Sequence, residues 1–406
     1  MRILHTADWH LGKRLSFYSR IEEQREVLKE IVTIAAAQEV DMVIVAGDLF
    51  DTGNPSNEAT ELLYKTLKQL ARNATVPVIA IAGNHDSPDR VNVADVLARE
   101  NGIILIGHPT DIVPDFTLET GMTIQHSEAG FFEIRLPQIE FPIRLLHTAF
   151  ANEIRLKEYF GEDKQASLQD CLSKRWAQLS DKYCDEQGVN ILTTHLYMLQ
   201  RGGAVLEEPD GEKPLNIGNA DVVYTDAIPS QIQYTALGHL HRNHSVGVHQ
   251  PVGYSGSPIA YSFAEAGQTK YVAIIDLLPG QPAVVQHIPL ERGKSLARKS
   301  FTNVEEAIGW LSENQDALVE LTLVTTEFIS TEERKRIYQT HNGIIHLIPK
   351  VKNLTAKGTN SEPINLSQDI LSLFKDYFKS KNSGQEPNEE QLSLFQELLN
   401  QEDAAE

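Results

Sequence analysis

The sequence predicts an α/β fold, and three observations support this. Up to about residue 280, short apolar runs rich in β-branched residues alternate with longer amphipathic stretches, as in sheets whose faces are covered by helices. Five of the apolar runs end abruptly in clusters of Asp, Asn and His. Hydrophobic residues make up 41% and charged residues 23% of the 406-residue chain, which is typical of a globular protein with a sizeable core.

Strands are expected at the apolar runs, which cover Arg2–Leu4, Met42–Ala46, Val76–Ala82, Ile103–Ile106, Arg144–Leu146, Asn190–Thr193 and Tyr234–Leu237. Helices are predicted at about 19–38 and 58–72, because apolar residues recur there at helical spacing. Residues 224–288 are expected to form shorter strands joined by Gly/Pro turns. We assign residues 1–290 to one domain on this basis.

A small domain and a tail are expected after that domain. Residues 291–352 predict a small α+β capping domain, with helices near 301–314 and after Ser330 and strands at 317–325 and 343–351. A polar linker follows at 353–365, and a tail at 366–406 contains two amphipathic patterns, at 367–380 and 388–400. Such helices either pack back on their own domain or dock into a groove of another protein. The linker and the acidic end of the chain favour docking on a partner.

The charge balance limits how this protein could handle nucleic acid. With 36 Lys and Arg against 56 Asp and Glu, the net charge is −20, so the molecule as a whole repels a phosphate backbone. Local basic patches, bound cations or a partner would have to supply the attraction. Cys171 and Cys184 are the only cysteines, which excludes a disulfide framework and a thiolate zinc cluster. No apolar run approaches the roughly 18 residues of a membrane span, and we expect a cytoplasmic protein.

The polar clusters at the strand ends are candidate ligands. They contain Asp8 and His10, Asp48 and Asp51, Asn84 with His85 and Asp86, His195, and His239 with His241. Because ligands bind beyond the carboxyl ends of strands in open α/β sheets, these clusters can meet at one rim. Residues two apart in an extended chain face the same side and can reach a common centre.

The residue types in these clusters suit a metal. Carboxylates, an amide oxygen and imidazoles without a thiolate favour Mn²⁺, Fe²⁺ or Zn²⁺ over Ca²⁺ and Mg²⁺. Seven of these residues acting as ligands would exceed what one catalytic ion needs. They suffice for two ions about 3.5–4 Å apart that share a carboxylate. Glycines at 47, 83 and 238 are expected to let the backbone turn tightly just before the ligands. The sequence therefore predicts a two-metal centre.

These motifs resemble a known family. Asp8-x-His10, Gly47-Asp48, Gly83-Asn84-His85-Asp86, His195 and Gly238-His239-x-His241 are similar to the signature of calcineurin-like metallophosphoesterases. The resemblance is dense up to about residue 275 and diffuse after it, and residues 201–217 are only loosely family-like. It implies a sandwich of two β-sheets flanked by helices. It also implies a DNA phosphodiesterase, both double-strand exonuclease and hairpin or single-strand endonuclease, in DNA end processing, recombination, repair and replication.

The resemblance implies a role for each site residue. One ion would be held by Asp8, His10 and His241, the other by Asn84, His195 and His239, with Asp48 bridging both. Manganese is the expected metal. A metal-activated water would attack phosphorus in line, and His85 would protonate the leaving oxygen. Asp86 would orient His85 as its hydrogen-bond partner.

The partners are expected from the resemblance as well. They are DNA and an SMC-like ATPase bound by the region beyond the nuclease domain, with a dimer of this subunit inside a heterotetramer. The surface at 58–72 and 90–100 could form the dimer contact or belong to the ordinary core. Lys13, Arg14 and Arg20 are candidate phosphate contacts, and a solvated loop is the alternative interpretation.

Two other functions stay open on the sequence alone. A phosphomonoesterase or small-nucleotide phosphodiesterase would keep the metal site and change the substrate; the extra domain and tail count against it. A non-catalytic scaffold for the ATPase would leave the metal site without a reaction, and the completeness of the ligand set argues against that.

Overall fold

A computed structural model describes residues 1–159, 164–203, 222–247, 251–326, 329–351, 374–375, 377–379, 386–387, 391–392 and 395. The chain divides into two units, residues 1–323 with 332–348, and residues 324–331 with 349–406. The predicted boundary at residue 291 lies within the first unit. The predicted linker at 353–365 and residues 204–217 of the loosely family-like segment lie outside the described residues.

The strands follow the apolar runs of the sequence, with additions between them. In chain order they are β1 (Arg2–Thr6), β2 (Arg14–Leu15), β3 (Tyr18–Ser19), β4 (Met42–Val45), β5 (Val78–Ile81), β6 (Ile103–Ile106), β7 (Phe116–Thr117), β8 (Thr123–Glu128), β9 (Phe131–Arg135), β10 (Ile143–Thr148), β11 (Val189–His195), β12 (Tyr197–Leu199), β13 (Val222–Tyr224), β14 (Tyr234–Gly238), β15 (His244–Val246), β16 (Val252–Tyr254), β17 (Lys270–Asp276), β18 (Val284–Leu290), β19 (Leu296–Phe301), β20 (Leu318–Thr325) and β21 (Ile344–Val351). Each of the seven predicted runs overlaps one of these strands.

The helices are α1 (Ile21–Ala37), α2 (Asn57–Leu70), α3 (Pro88–Asn92), α4 (Asp95–Arg99), α5 (Glu153–Leu156), α6 (Lys164–Tyr183), α7 (Val304–Glu313) and α8 (Thr331–Thr340). The start of α2 is set by Ser56, whose hydroxyl accepts a hydrogen bond from the N–H of Ala59. Among the described residues, no helix has both the length and the apolar character that crossing a membrane requires.

The first sheet has the strand order β18-β17-β1-β4-β5-β6. Strands β1, β4, β5 and β6 are parallel, and β17 and β18 extend the sheet antiparallel. Every residue of β4, β5 and β6 is buried, as expected for parallel strands covered on both faces. This is why continuous runs of Val and Ile, rather than alternating patterns, predict these strands.

The second sheet has the order β15-β16-β14-β11-β10-β9-β8-β7. Its central strands β10, β11, β14 and β16 are parallel, and the strands at either side are antiparallel. Neither β7 to β9 nor the long helix α6 is among the elements that the sequence analysis identifies.

Side chains of the second sheet alternate between two apolar clusters. Leu145, Ile191 and Ala236 belong to a cluster shared with the first sheet, α1 and α2. Their neighbours Leu146, Leu192 and Leu237 pack with Leu168, Leu172 and Trp176 of α6. Burying one such side chain contributes about 1.5–3 kcal/mol. The result is a sandwich of two sheets flanked by helices, as the resemblance implies.

Strands and helices lie at the positions predicted for the small α+β module. Strands β19, β20 and β21 form a three-stranded sheet, and α7 and α8 lie between them in the chain. Leu296, Leu318 and Ile345 of this sheet form one cluster with Leu15 and Phe263 of the preceding domain. The module therefore shares a small core with the segment that follows the first polar cluster.

In the second unit, the described residues at 374–375, 377–379, 391–392 and 395 are helical. They fall inside the two predicted helices of the tail. The rings of Phe374 and Phe395 stack with centroids 4.0 Å apart and planes 9° from parallel. The two segments thus contact each other through this pair of rings, and Tyr377 is 55% exposed. The acidic end of the tail lies outside the described residues.

Candidate metal centre

The predicted clusters meet where parallel strands of both sheets end. Asp8 follows β1, Asp48 follows β4 and Asn84 follows β5 in the first sheet, while His195 ends β11 and His239 follows β14 in the second. Beyond the regular strands, the N–H of Asp8 donates to the carbonyl of Gly47 at 2.9 Å, and the N–H of His10 donates to that of Asp48 at 2.9 Å. The loops after β1 and β4 are therefore fixed against each other.

One group of donor atoms is formed by Asp8, His10 and His241, which are all buried and whose ligand atoms lie within 4.8 Å of one another. Nε2 of His10 and Nε2 of His241 are 2.9 Å apart. Oδ1 of Asp8 accepts a hydrogen bond from the N–H of His239 at 2.9 Å. Its other oxygen, Oδ2, is buried and has no hydrogen-bond partner among the described residues.

A second group is centred on the side-chain oxygen of Asn84. This Oδ1 lies 3.1 Å from Nε2 of His195 and 3.0 Å from Nδ1 of His239. Nδ1 of His195 donates to the carbonyl of Ala46 at 2.8 Å, which leaves Nε2 directed at the site. The other ring nitrogen of a metal-binding histidine is commonly held in this way, because the bond fixes the tautomer.

Asp48 lies between the two groups. Its Oδ2 is 3.4 Å from Nε2 of His10 in the first group and 3.4 Å from Nε2 of His195 in the second. Its Oδ1 accepts a hydrogen bond from the N–H of His85 at 2.8 Å. One carboxylate oxygen thus faces donors of both groups, which is the placement required of a ligand shared by two cations.

The protonation of His10, His239 and Asp8 fits a pair of cations, whereas His195 would have to release a proton on binding one. Burial lowers the pKa of His10 and of His239 well below the usual value, so both rings are neutral and can donate an electron pair. Burial raises the pKa of Asp8 to about 7, and a cation beside its unpartnered Oδ2 would offset that cost. Burial opposes the charged form of His195, but the Asp48 carboxylate outweighs it and raises the pKa to about 9, so a metal bound by His195 would displace the proton from Nε2. The donor set and the unpartnered oxygen fit two divalent ions.

The backbones of four predicted ligands are strained. Asp8, His10, Asp48 and His239 have φ values of 54°, 42°, 50° and 109°, a region that residues with a Cβ rarely occupy. Each such residue costs on the order of 1–3 kcal/mol, and such residues cluster at functional sites. Four of them among the seven predicted ligands indicate that the fold is organised around this site.

The three glycines near the ligands act in two ways. Gly47 has φ of 96° and makes the predicted tight turn. A Cβ at position 83 would lie 2.1 Å from Oδ1 of Asp48, and a Cβ at position 238 would lie 1.8 Å from the carbonyl oxygen of Ala46. Gly83 and Gly238 are thus required for close approach between loops, rather than for the turn that the sequence suggests.

His85 is half-buried, and its orientation differs from the prediction. Its Nδ1 donates to the backbone carbonyl of Asp51 at 2.8 Å. Asp86, the predicted orienting partner, instead accepts hydrogen bonds from the N–H groups of Gly83, Leu49 and Phe50 at 2.8–3.0 Å. The Asp51 carbonyl therefore orients the His85 ring, and Asp86 joins the loops after β4 and β5.

Of the three predicted phosphate contacts, Arg20 does not fit. It is 1% exposed, pairs through two nitrogens with Glu23 and donates to the carbonyl of Ala260 at 2.9 Å. It is a buried structural residue, and this corrects the prediction. Arg14 is exposed on the hairpin β2–β3. Lys13 pairs with Asp51 through Nζ and Oδ1 at 3.0 Å and stays partly exposed beside the site.

Several supporting residues carry no motif signal in the sequence. Gln24 of α1 donates to the carbonyl of His10 at 2.8 Å and accepts from the N–H of Gly12 at 3.0 Å, which fixes the first loop. Oε1 of Glu265 lies 3.5 Å from Nδ1 of His241. Burial disfavours its charge, but His241 and Lys270 together lower the pKa of Glu265 to about 2. Only the spacing of Ser262 and Glu265, a capping box, is visible in the sequence.

Comparison with known proteins identifies the family. The profile of the calcineurin-like phosphoesterase family matches residues 1–242. The SbcD subunit of the nuclease SbcCD from Bacillus subtilis (strain 168) is 35% identical over 415 aligned residues, which cover 100% of each chain. This chain is a calcineurin-like phosphoesterase of the SbcD family. The match confirms the predicted sandwich fold and the predicted enzyme class, a metal-dependent nuclease.

Other SbcD proteins align with more than two thirds of this chain. The SbcD subunit of the nuclease SbcCD from Rhodobacter capsulatus is 33% identical and covers 73% of this chain and 71% of its own. That of Staphylococcus epidermidis is 32% identical and covers 72% and 70%. Among solved structures, a dimetal phosphatase from Danio rerio covers 71% of this chain and 96% of its own, at 13% identity and a TM-score of 0.40. The assignment to the SbcD family therefore depends on the sequence comparisons.

Proposed function

We propose that this chain is the nuclease subunit of an SbcCD complex, a two-metal DNA phosphodiesterase that works with an SbcC-like ATPase. Its activities would be those of a double-strand exonuclease and a hairpin or single-strand endonuclease in DNA end processing, recombination and repair. The observation that carries the proposal is the position of Asp48, whose Oδ2 lies 3.4 Å from a histidine nitrogen of each donor group. The relatives named as SbcD subunits of SbcCD nucleases support the substrate and the partner.

The metal assignment follows the two donor groups. Asp8, His10 and His241 would hold one ion, Asn84, His195 and His239 the other, and Asp48 both. Four imidazoles with two carboxylates, an amide oxygen and no thiolate fit Mn²⁺, Fe²⁺ or Zn²⁺, and of these Mn²⁺ is the metal that we propose. When bound, the ions supply Lewis acidity that activates water and neutralises charge on a phosphodiester.

His85 is the proposed general acid. A carbonyl oxygen only accepts, so the bond to Asp51 fixes a proton on Nδ1 of His85. The second nitrogen, Nε2, is then the atom that would carry the proton given to the leaving sugar oxygen. His85 is half-buried, whereas Asp8, His10 and Asp48 are buried, so the ring lies on the accessible side of the site.

The ATPase partner would resolve the charge problem. A chain with net charge −20 needs a second surface to retain DNA, because the two remaining candidate phosphate contacts, Lys13 and Arg14, supply little positive charge against it. We propose that the tail at 366–406 docks on this partner. We also propose a homodimer within a heterotetramer. Val93, Val96 and Leu97, which are 82%, 67% and 76% exposed, support a self-association surface near 90–100, while Val91 belongs to the core.

One assay tests the reaction. Duplex and hairpin DNA labelled at the 3′ or 5′ end is incubated with Mn²⁺ or Mg²⁺, with and without the ATPase subunit and ATP. We expect cleavage of both substrates that requires a divalent ion, is strongest with Mn²⁺ and changes with ATP only when the partner is present. Activity on p-nitrophenyl phosphate far above that on DNA would contradict the proposal and indicate a phosphomonoesterase or small-nucleotide phosphodiesterase instead. A complete lack of metal-dependent cleavage would replace the proposal with a non-catalytic scaffold for the ATPase.

A second assay tests the docking. Deletion of residues 366–406 is expected to abolish co-purification with the ATPase subunit, while metal-dependent cleavage by the isolated subunit persists. Co-purification at the level of the full chain would contradict the role of the tail.

A further inference from the structure

The segment after β10 lies against the metal centre. The N–H of Phe150 donates to the carbonyl of Ala82 at 2.9 Å, which places the segment beside the loop after β5. The ring of Phe150 stacks on His239, with centroids 6.4 Å apart and planes 29° from parallel. It meets His195 edge-on, also at 6.4 Å. Two histidines of the second donor group thus contact one aromatic residue of this segment.

Arg155 connects this segment to the loop that carries Asn84 and His85. Its Nη1 donates to the carbonyl of Gly83 at 2.8 Å, and its Nη2 donates to the carbonyl of Asp86 at 2.8 Å. These two carbonyls stand directly before and directly after the pair Asn84–His85. The guanidinium lies 5.0 Å from the centroid of the Phe150 ring, a distance suited to a cation–π contact.

Arg155 is itself held in place. Its N–H donates to Oδ1 of Asn152 at 2.8 Å, which caps the short helix α5. The backbone of Arg155 is therefore fixed by a hydrogen bond, and its guanidinium packs against the ring of Phe150. The two N–H donors of the guanidinium, which together form a fork, therefore have a fixed position and direction. A group fixed in this way can set the geometry of the loop that it contacts.

The loop is fixed from two directions. Carboxylates hold its N–H groups, because Asp86 accepts from Gly83 and Asp48 accepts from His85. Arg155 holds the carbonyls at the two ends. Removing the fork would leave two carbonyls without these partners, and it would leave the Asn84 amide and the His85 ring supported from one side only.

We propose that Arg155 is a positioning residue of the nuclease, which sets the Asn84 oxygen for metal binding and the His85 ring for proton transfer. The inference rests on the proposed function for the roles of Asn84 and His85. Lysine cannot replace the arginine, because its single ammonium group cannot reproduce two parallel donors in a fixed plane. The charge alone is therefore not sufficient for this role.

The test compares Arg155→Lys and Arg155→Ala with Arg144→Lys. Arg144 is the matched control, because it also makes a two-nitrogen contact, with Asp185, but lies at the opposite end of β10 from the metal centre. Three quantities are measured for the full chain. They are Mn²⁺ affinity by titration calorimetry, amide hydrogen exchange over residues 83–87, and kcat and KM on duplex DNA.

Both Arg155 variants are expected to bind Mn²⁺ about 10–100-fold more weakly, as other residues that orient metal ligands do. Exchange over 83–87 should rise and kcat should fall, with KM for DNA nearly unchanged. Arg144→Lys should change none of these relative to the wild type. Wild-type Mn²⁺ affinity and exchange in Arg155→Lys would overturn the inference, as would equal losses in Arg144→Lys. Absence of DNA cleavage by the wild type would refute the proposed function instead, and the Mn²⁺ and exchange comparisons would still decide the role of Arg155.

Discussion

Oδ1 of Asp48 accepts a hydrogen bond from the backbone N–H of His85 at 2.8 Å. The residue that we propose to bridge the two ions therefore also fixes the backbone of the proposed general acid. The ring of His85 is oriented separately, by the carbonyl of Asp51. Metal binding and acid catalysis thus share one support, yet they depend on different side chains and can be separated by substitution.

His85→Ala is expected to bind two metal ions like the wild type and to cleave DNA about 10²–10⁴-fold more slowly. The backbone bond to Asp48 is retained, so the ligands should stay in place while the acid is lost. Metal content after equilibrium dialysis and single-turnover cleavage rates give the two quantities. His195→Ala is the contrasting variant and should lose metal as well as activity. Equal metal loss in both variants would mean that His85 is a ligand.

Gly83→Ala is expected to remove metal binding, because its Cβ would lie 2.1 Å from Oδ1 of Asp48. The control is Gly309→Ala within α7, where a Cβ would meet no atom within 4 Å. Replacing a helical glycine by alanine stabilises by about 0.5–1 kcal/mol, so Gly309→Ala should unfold at slightly higher urea and bind metal normally. Full metal occupancy in Gly83→Ala would show that the loop relaxes away from Asp48.

Arg14→Ala is expected to lose DNA affinity, whereas Arg20→Met is expected to lose folding stability. Arg14 is exposed, so its loss should weaken DNA binding uniformly across sequences and reduce the salt slope of log affinity by about 1. Arg20 is buried against Glu23, and removing one partner of such a pair costs about 3–5 kcal/mol of folding free energy. Fluorescence anisotropy in EDTA at several salt concentrations and urea unfolding give the two readouts. A reduced salt slope in folded Arg20→Met, with unchanged stability, would show that Arg20 contacts phosphate after all.

His5 should make stability depend on pH. Its Nε2 donates to the carbonyl of Leu237 and its Nδ1 accepts from the hydroxyl of Tyr234, so the buried ring is neutral, and burial lowers its pKa to about 3. The unfolded chain, with the ordinary value of 6.5, then binds the proton first as pH falls. Stability is therefore lost below pH 6.5, at about 1.4 kcal/mol per pH unit.

The measurement is urea unfolding of the wild type and of His5→Gln in EDTA between pH 7 and 5. Glutamine can keep both hydrogen bonds and does not titrate. The stability advantage of the wild type over this variant should shrink by about 2 kcal/mol between pH 6.5 and 5. Parallel pH curves for the two proteins would mean that His5 takes up its proton at the same pH in the folded and unfolded states.

The parts of the fold that the sequence predicts are those with local signals. Buried parallel strands appear as continuous Val and Ile runs, and ligands such as Asp8 and Asp48 follow directly after them. Strand β8 is largely polar and only partly buried, so no apolar pattern indicates it. Helix α6 does place Leu168, Leu172 and Trp176 at helical spacing, and this signal could have predicted it.

The errors at the site concern side chains whose partners are distant in the chain. Arg20 follows a metal motif like Lys13 does, and only the packing of Ala260 and Glu23 around it reveals that it is buried. Asp86 adjoins His85 in sequence, but its carboxylate binds backbone groups of another loop. Arg155 contacts carbonyls 69 and 72 residues earlier in the chain, and a contact with a backbone carbonyl leaves no trace in residue types.

The central claim is that two divalent ions bind on either side of Asp48. Anomalous diffraction at the manganese absorption edge, from crystals of active protein grown with Mn²⁺, tests it most directly. We predict two peaks, one contacted by His10 and His241 and one by Asn84 and His195, with Asp48 reaching both. A single peak, or none in protein that still cleaves DNA, would contradict the account.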